Sequence, residues 1–193
     1  MFSLFFYQKQ MEVIERLIFL KEHEATREDM IVFLECSINN EIYTKSYVAL
    51  STRDSNDRKL LIDDLKAYVA NLPNLYVQAS EYVTLDEDEK QRFITVYNGE
   101  VERTIEFAGT EAAPVYISMI MCHRAKVEYR VIEFLVKYHF FTDDERVSAY
   151  IRMRLNYKRA ANFIGYLSSK HYEGLEFPIH QLNELRNYID SLR

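Results

Sequence analysis

Seven side chains between residues 152 and 166 are of the types that recognise a nucleic acid duplex. Arginine and lysine can reach guanine or phosphate oxygens, asparagine can pair with adenine through two hydrogen bonds, and tyrosine can contact phosphate or a thymine methyl group. All seven fall within residues 146–172, a run with six Lys or Arg residues and no Asp or Glu. The candidate contact residues are Arg152, Arg154, Tyr157, Lys158, Arg159, Asn162 and Tyr166.

A helix over residues 156–170 would position five of these side chains, and Arg152 and Arg154 fall in and just before the preceding turn, where they could contact the DNA backbone. The apolar residues of this helix from Ala160 to Leu167 fall at i, i+3, i+4 and i+7, which is one stripe, and the polar side chains lie opposite. A preceding helix is predicted at Thr142, because Thr142 and Glu145 have the spacing of a capping box. Two such helices joined by a short turn are typical of a helix-turn-helix that enters the major groove. A solvated basic face on a helical protein fits the same pattern.

The charge of the chain is divided unevenly along its length. The net charge of −6 argues against indiscriminate nucleic-acid binding. Residues 1–123 carry 12 Lys or Arg against 21 Asp or Glu, whereas residues 124–193 carry 12 against 9. We therefore expect an acidic surface and a basic surface with different roles.

The composition predicts a mostly α protein. Among 193 residues, 48% are apolar and only 4 are Gly and 3 Pro, too few for the many turns of a β-sandwich. Helical periodicity begins near Gln10, again after a predicted N-cap at Thr26, and again after the turn and cap at 54–57. Pro73 is predicted to end the third helix.

A change of period after Pro73 predicts β structure. Residues 75–77 and 82–85 are predicted strands, and residues 92–107 a β-hairpin, because Asn98-Gly99 suits a type I′ turn between alternating segments. Three helices followed by a hairpin predict a winged helix. The acidic outer face of that hairpin makes it an unpromising phosphate clamp.

A second helical block follows the predicted hairpin. Pro114 suits a first helical turn, and apolar residues continue from Val115 to Phe141 in one long helix or two. The expected fold is therefore tandem winged helix-turn-helix modules with a small β-hairpin wing. The predicted domains are a winged module over 1–110, a second helix-turn-helix module over 111–177, and a C-terminal helix over 178–193.

The sequence shows no pattern of a catalytic centre. Its five histidines lack metal-binding spacing, and no phosphate-binding loop, dinucleotide-binding loop or nucleophile elbow is present. The acidic run 86–89 could hold a divalent ion loosely, although a solvated acidic loop is the better interpretation. Cys36 and Cys122 are expected to be reduced and buried. We expect no enzyme activity, cofactor, metal or small-molecule substrate.

The N-terminal residues 1–7 are apolar but lack a basic segment before them, and Gln8, Lys9 and Gln10 interrupt them. They are too short for a signal sequence or a membrane span. We predict a strand or arm packed on the body of a cytoplasmic protein without membrane contact.

Three passages resemble the N-terminal half of the Mga and RofA-like transcription regulators of Gram-positive bacteria. The first, residues 58–65 through Leu72-Pro73, resembles the family's first recognition helix. Residues 129–135 through 155–159 resemble its second helix-turn-helix, and residues 175–177 through 184–188 resemble the strand and helix that follow.

The resemblance implies a sequence-specific DNA-binding transcription regulator of the virulence-regulator type, with double-stranded DNA as partner and a homodimer as assembly. We carry DNA reading only onto the second unit, because the first candidate helix mixes Arg58 and Lys59 with Asp63 and Asp64. The family's sensing and dimerisation regions have no counterpart here, so we expect a truncated piece or a short stand-alone relative. The alternative is an all-α protein-interaction module or small regulator without DNA contact.

Overall fold

The computed structural model describes residues 2–145, together with Lys158 and Asn162, and side chains from Glu12 onward. This part of the chain is mostly α-helical, which confirms the predicted class, and it contains no strand. Its helices are α1 Phe2–Glu22, α2 Arg27–Ser51, α3 Ser55–Ala70, α4 Leu72–Ala79, α5 Glu87–Phe107 and α6 Ala113–Lys137.

Side-chain caps fix where several helices begin. The Thr26 hydroxyl accepts from the Asp29 amide, and the Asp54 carboxylate accepts from the amides of Asn56 and Asp57, so both predicted caps are confirmed. Asp86 and Glu89 form a full capping box at the start of α5. The acidic run 86–89 therefore begins a helix, where its carboxylates also favour the positive end of the helix dipole.

The predicted β-hairpin wing is wrong, because residues 92–107 lie within α5. The buried side chains are Phe93, Tyr97, Val101 and Thr104, and this spacing of three or four residues is helical rather than alternating. Asn98 and Gly99 lie in mid-helix, where a Cβ on Gly99 would meet nothing closer than 3.6 Å. Gly99 therefore costs the helix about 1 kcal/mol of propensity, which tertiary burial overrides.

Two other β predictions are also wrong. Residues 75–77 belong to α4, and residues 82–85 form no strand, although Val83 and Leu85 are buried. Pro73 stands in the first turn of α4, where a missing amide hydrogen costs nothing, and α3 has already ended at Ala70. The predicted N-terminal strand is replaced by the first turns of α1.

The broadest helix–helix contact joins α2 to α6. The main core places Phe33, Leu34 and Ile38 of α2 together with Val131 and Leu135 of α6. The apolar run around and after Pro114 forms one helix, α6, which has 25 residues and ends at Lys137. The domain boundary near residue 110 remains a prediction, with the core continuous across it.

The start of α2 is tied to two other helices by charged side chains. Asp29 accepts from Lys137 Nζ at 2.7 Å and from the Tyr138 hydroxyl at the end of α6. Arg27 donates to Glu89 at 2.7 Å and to the Thr84 carbonyl at 2.9 Å. The hydrogen bonds from Lys137 and Tyr138 lower the pKa of the Asp29 carboxyl.

Replacing Asp29 by Asn should make the free energy of unfolding fall less steeply as the pH is lowered. Because folding lowers the pKa of Asp29, its contribution is fully present above the ordinary aspartate pKa of about 3.9 and is lost as pH falls through the lower folded value. Urea unfolding between about pH 6 and pH 2.5 should show a smaller loss of unfolding free energy in D29N than in the parent. The control Asp63→Asn, an exposed residue of α3, should keep the parental slope; equal slopes in all three proteins would contradict the prediction.

Two buried tyrosines differ in how their hydroxyls are satisfied. The Tyr97 hydroxyl has no hydrogen-bond partner in the described part of the chain, and the residue is 1% exposed. The hydroxyl of Tyr116, which is also buried, donates to Glu100 at 2.6 Å. A buried hydroxyl without a partner keeps its desolvation cost, whereas a bond to a carboxylate recovers it.

The substitutions Tyr97→Phe and Tyr116→Phe should therefore have opposite effects. Y97F should raise the unfolding free energy by about 1 kcal/mol, and Y116F should lower it by about 1–2 kcal/mol. Urea unfolding at pH 7 measures both changes in unfolding free energy. Each variant is the control for the other, because both lose one tyrosine hydroxyl. Destabilisation by Y97F would show that its hydroxyl has a partner, such as a buried water.

Candidate functional site

The predicted DNA-contact residues are described only in part. Lys158 and Asn162 both have helical backbone and exposed side chains. On the helix predicted for 156–170, a spacing of four residues puts them on one face. The remaining candidates, Arg152, Arg154, Tyr157, Arg159 and Tyr166, lie outside the described residues.

A cluster of titratable side chains joins α2, α5 and α6. Glu100 accepts from the Tyr116 hydroxyl and from Arg103, each at 2.6 Å, and the ring of Tyr43 stacks on His123 with centroids 5.5 Å apart. Burial raises the pKa of Tyr43 to about 12, and Glu100 adds to that rise. Burial lowers the pKa of His123, while the Glu100 charge acts in the opposite direction.

This cluster was not predicted, because Glu100 lies within residues 92–107, for which the sequence predicts a hairpin rather than a helix. On α5, the spacing of three residues instead brings Arg103 beside Glu100. The carboxylate then serves two donors at once, so its evident effect is to hold α6 against α5 through Tyr116.

A cavity of about 630 Å³ lies between α1, α2, α6 and residues 140–145. α6 ends in a turn at His139, whose φ of 61° brings the chain back, and Phe140 then meets Phe19 edge-on at 4.9 Å. Each helix lines the cavity with residues three or four positions apart, hence with one face. The apolar lining comprises Val13, Val131, Ile132, Leu135, Phe140 and Phe141.

The polar lining of the cavity is rich in oxygen atoms. Arg16 is the one cation among the described lining residues; it donates to Glu12 at 2.7 Å and lies 5.9 Å from the centroid of Phe140. The Asn40 side-chain oxygen is buried and has no hydrogen-bond partner within the described part. The carboxylates that line the cavity are Glu12, Glu41, Glu128, Asp144 and Glu145.

The turn after α6 supplies two of these carboxylates and confirms the predicted capping box. The Glu145 amide donates to the Thr142 hydroxyl at 3.3 Å, and the Thr142 amide donates to the Glu145 carboxylate at 2.9 Å. The box leaves Asp144 exposed beside the cavity.

Both cysteines are buried, as predicted, and burial raises the pKa of each thiol, that of Cys122 to about 12. Between residues 2 and 145, no group of three His, Cys, Asp or Glu side chains is arranged to hold a metal ion. The helices described there include none long and apolar enough to cross a membrane.

No protein-family model, curated protein or solved structure matches the chain. The resemblance to Mga and RofA-like regulators therefore remains a prediction from the sequence.

The His123 environment gives a direct titration test. We expect NMR titration of the imidazole to give a pKa below the ordinary value of 6.5, because burial disfavours the charged ring. Glu100→Gln should lower the pKa further, since it removes the charge that favours protonation. Glu106→Gln, an exposed change on the same helix, should leave it unchanged. A pKa at or above 6.5 in the parent protein would contradict the prediction that burial lowers the pKa of His123.

Proposed function

We propose that the chain is a sequence-specific DNA-binding transcription regulator that reads the major groove with residues 156–170. The observation that supports this most directly is the exposure of Lys158 and Asn162 within the acid-free run 146–172. Lysine suits phosphate or guanine oxygens, and asparagine suits adenine. Arg152, Arg154, Tyr157, Arg159 and Tyr166 complete the proposed contact surface.

The distribution of charge also supports binding through this segment. Residues 2–145 carry 26 Asp or Glu against 16 Lys or Arg, whereas residues 146–193 carry 4 against 8. DNA repels the first group and attracts the second, so the contact should be confined to one orientation of the molecule.

The proposed architecture retains tandem helix-turn-helix units but not a winged first unit. Since residues 92–107 are helical, they supply no hairpin to grip phosphates. On α3, Asp64 pairs with Lys45 at 2.6 Å. An acidic side chain on this candidate helix disfavours contact with DNA phosphates. The DNA-reading role therefore belongs to the second unit, as in the resemblance to the Mga and RofA-like family.

Fluorescence anisotropy with duplex DNA tests this proposal. With about four to six phosphate contacts per protomer, the slope of log affinity against log salt should be roughly −4 to −5 between about 50 and 200 mM. The triple change Arg152→Ala, Lys158→Ala and Arg159→Ala should abolish binding. Arg159→Ala alone should cost about 1–3 kcal/mol if it reads a base, and only on the preferred sequence.

The matched control removes three cations from the acidic part: Arg53→Ala, Lys59→Ala and Lys66→Ala, all exposed. This variant has the same net charge as the first triple variant, so loss of binding in both would indicate a general charge effect. Absence of binding by the parent at the lower salt, where electrostatic affinity is greatest, would contradict the proposal.

A second candidate function is a protein-interaction module that binds a basic partner. The excess of ten acidic residues over residues 2–145 favours it. In that case, residues 146–172 could be changed without loss of function, and the parent protein would not bind duplex DNA at about 50 mM salt.

A further inference from the structure

We propose that the face of α6 opposite α2 is the docking surface for the apolar stripe of residues 160–167. This second face of α6 consists of Ser118, Cys122, Ala125, Tyr129 and Ile132, and the stripe consists of Ala160, Phe163, Ile164 and Leu167. The docking determines how the proposed DNA-reading segment is held against the helical body. It stands whether or not that segment binds DNA.

The second face of α6 is buried although it points away from α2. Its five residues are between 0% and 7% exposed. They are spaced four, three, four and three positions apart, so they form one stripe along about 21 Å of helix. Ile120 and Val131, which pack in clusters with residues of α2, lie on nearly the opposite side. α6 is therefore buried on two sides and requires a neighbour on each.

The described helices supply the neighbour on one side only. Within residues 2–145, α2 is the one helix that makes broad contact with α6, whereas α1 packs on α2 and α4. None of the five residues belongs to the main core or to the smaller cluster around Ile120. The Ser118 hydroxyl donates to the Val115 carbonyl of α6 itself at 2.6 Å, so it requires no polar partner from the cover. The chain beyond residue 145 is therefore the source of the cover.

The exposure of two polar residues identifies the part of that chain which docks. Lys158 and Asn162 have helical backbone and exposed side chains. On a helix through them, the stripe of residues 160–167 lies on the opposite side, so their exposure turns the stripe towards the body. The stripe spans the same number of positions as the middle of the second face, from Cys122 to Tyr129. Two turns of each helix can therefore pack side by side, with apolar surface removed from water on both.

The path of the chain after α6 allows this docking. α6 ends at Lys137, and the left-handed residue His139 turns the chain back. Thr142 then caps the helical turn that leads to Glu145. The fifteen positions from Glu145 to Ala160 reach about 22 Å even when all of them are helical. The middle of α6 lies about 18 Å from its end, so the stripe can return to it.

Thiol labelling of the full chain tests the docking, because Cys122 lies in the second face. Burial raises the pKa of its thiol to about 12, which keeps the reactive thiolate scarce. Phe163→Asp puts a charge into the stripe, and we expect it to detach the stripe and speed labelling of Cys122 by N-ethylmaleimide at least about tenfold. Cys36, in the main core, is the internal reference and should stay protected. Asn162→Asp adds the same charge on the exposed side and should change neither rate.

Disulfide formation with Cys122 gives a second readout that leaves the stripe in place. Cysteine is introduced into the full chain one position at a time, as Ala160→Cys, Phe163→Cys and Leu167→Cys. After mild oxidation, peptide mass spectrometry should find a bridge to Cys122 in at least one of them, because a disulfide requires Cα atoms within about 7 Å. Asn162→Cys, on the exposed side, should form no bridge.

Three results would overturn the proposal. These are an unchanged labelling rate of Cys122 in Phe163→Asp, equal acceleration in Asn162→Asp, and no bridge to Cys122 from any position of the stripe. Faster labelling in Phe5→Asp but not in Phe163→Asp would assign the second face to the start of α1 and would also overturn it. If Phe163→Asp exposes Cys36 as well, the whole fold is lost and disulfide formation decides. Neither readout involves DNA, so its outcome is separate from that of the anisotropy experiment.

Discussion

The packing of α2 against α6 is the contact on which the rest of the described structure depends. α2 buries Met30, Ile31, Phe33 and Leu34 within five consecutive positions, so its first half is covered on more than one side. A helix that is apolar on several sides belongs at the centre of a bundle. α1, α3, α5 and α6 all contact α2, and the core residues of α6 join the same cluster. These four helices therefore surround α2, and α4 packs on α1 and α3 instead.

Because α2 is central and apolar on several sides, the polar contacts that position it lie at its start and in a few hydrogen-bonded pairs of side chains. Asp29 accepts from Lys137 and Tyr138, and Arg27 bonds to Glu89, so the start of α2 holds both the end of α6 and the start of α5. Further along, Ser46 and Thr104 are fully buried and share a hydrogen bond of 3.0 Å between α2 and α5. These directional contacts fix register, which apolar burial alone specifies poorly.

Local signals in the sequence were sufficient for the helical class and for several helix starts. The caps at Thr26, Asp54 and Thr142 depend on side chains within three residues, so spacing alone identified them. The hairpin prediction failed because Asn98-Gly99 and the alternation after it are also local signals, whereas the burial of Tyr97, Val101 and Thr104 depends on helices distant in sequence. The cavity likewise depends on contacts between helices that are distant in sequence. Each of its walls could be predicted as a helix face, but their meeting is set by the turn at His139 and by the packing of α2 on α6.

The transition from acidic to basic sequence coincides with the edge of the cavity. Asp144 and Glu145 line it, and Arg146 begins the acid-free run that carries the proposed DNA contacts. A chain whose charge changes sign at this point attracts a polyanion through one part and repels it through the other. The capping box that ends at Glu145 therefore marks the boundary in the sequence between the part that DNA would repel and the part proposed to bind it.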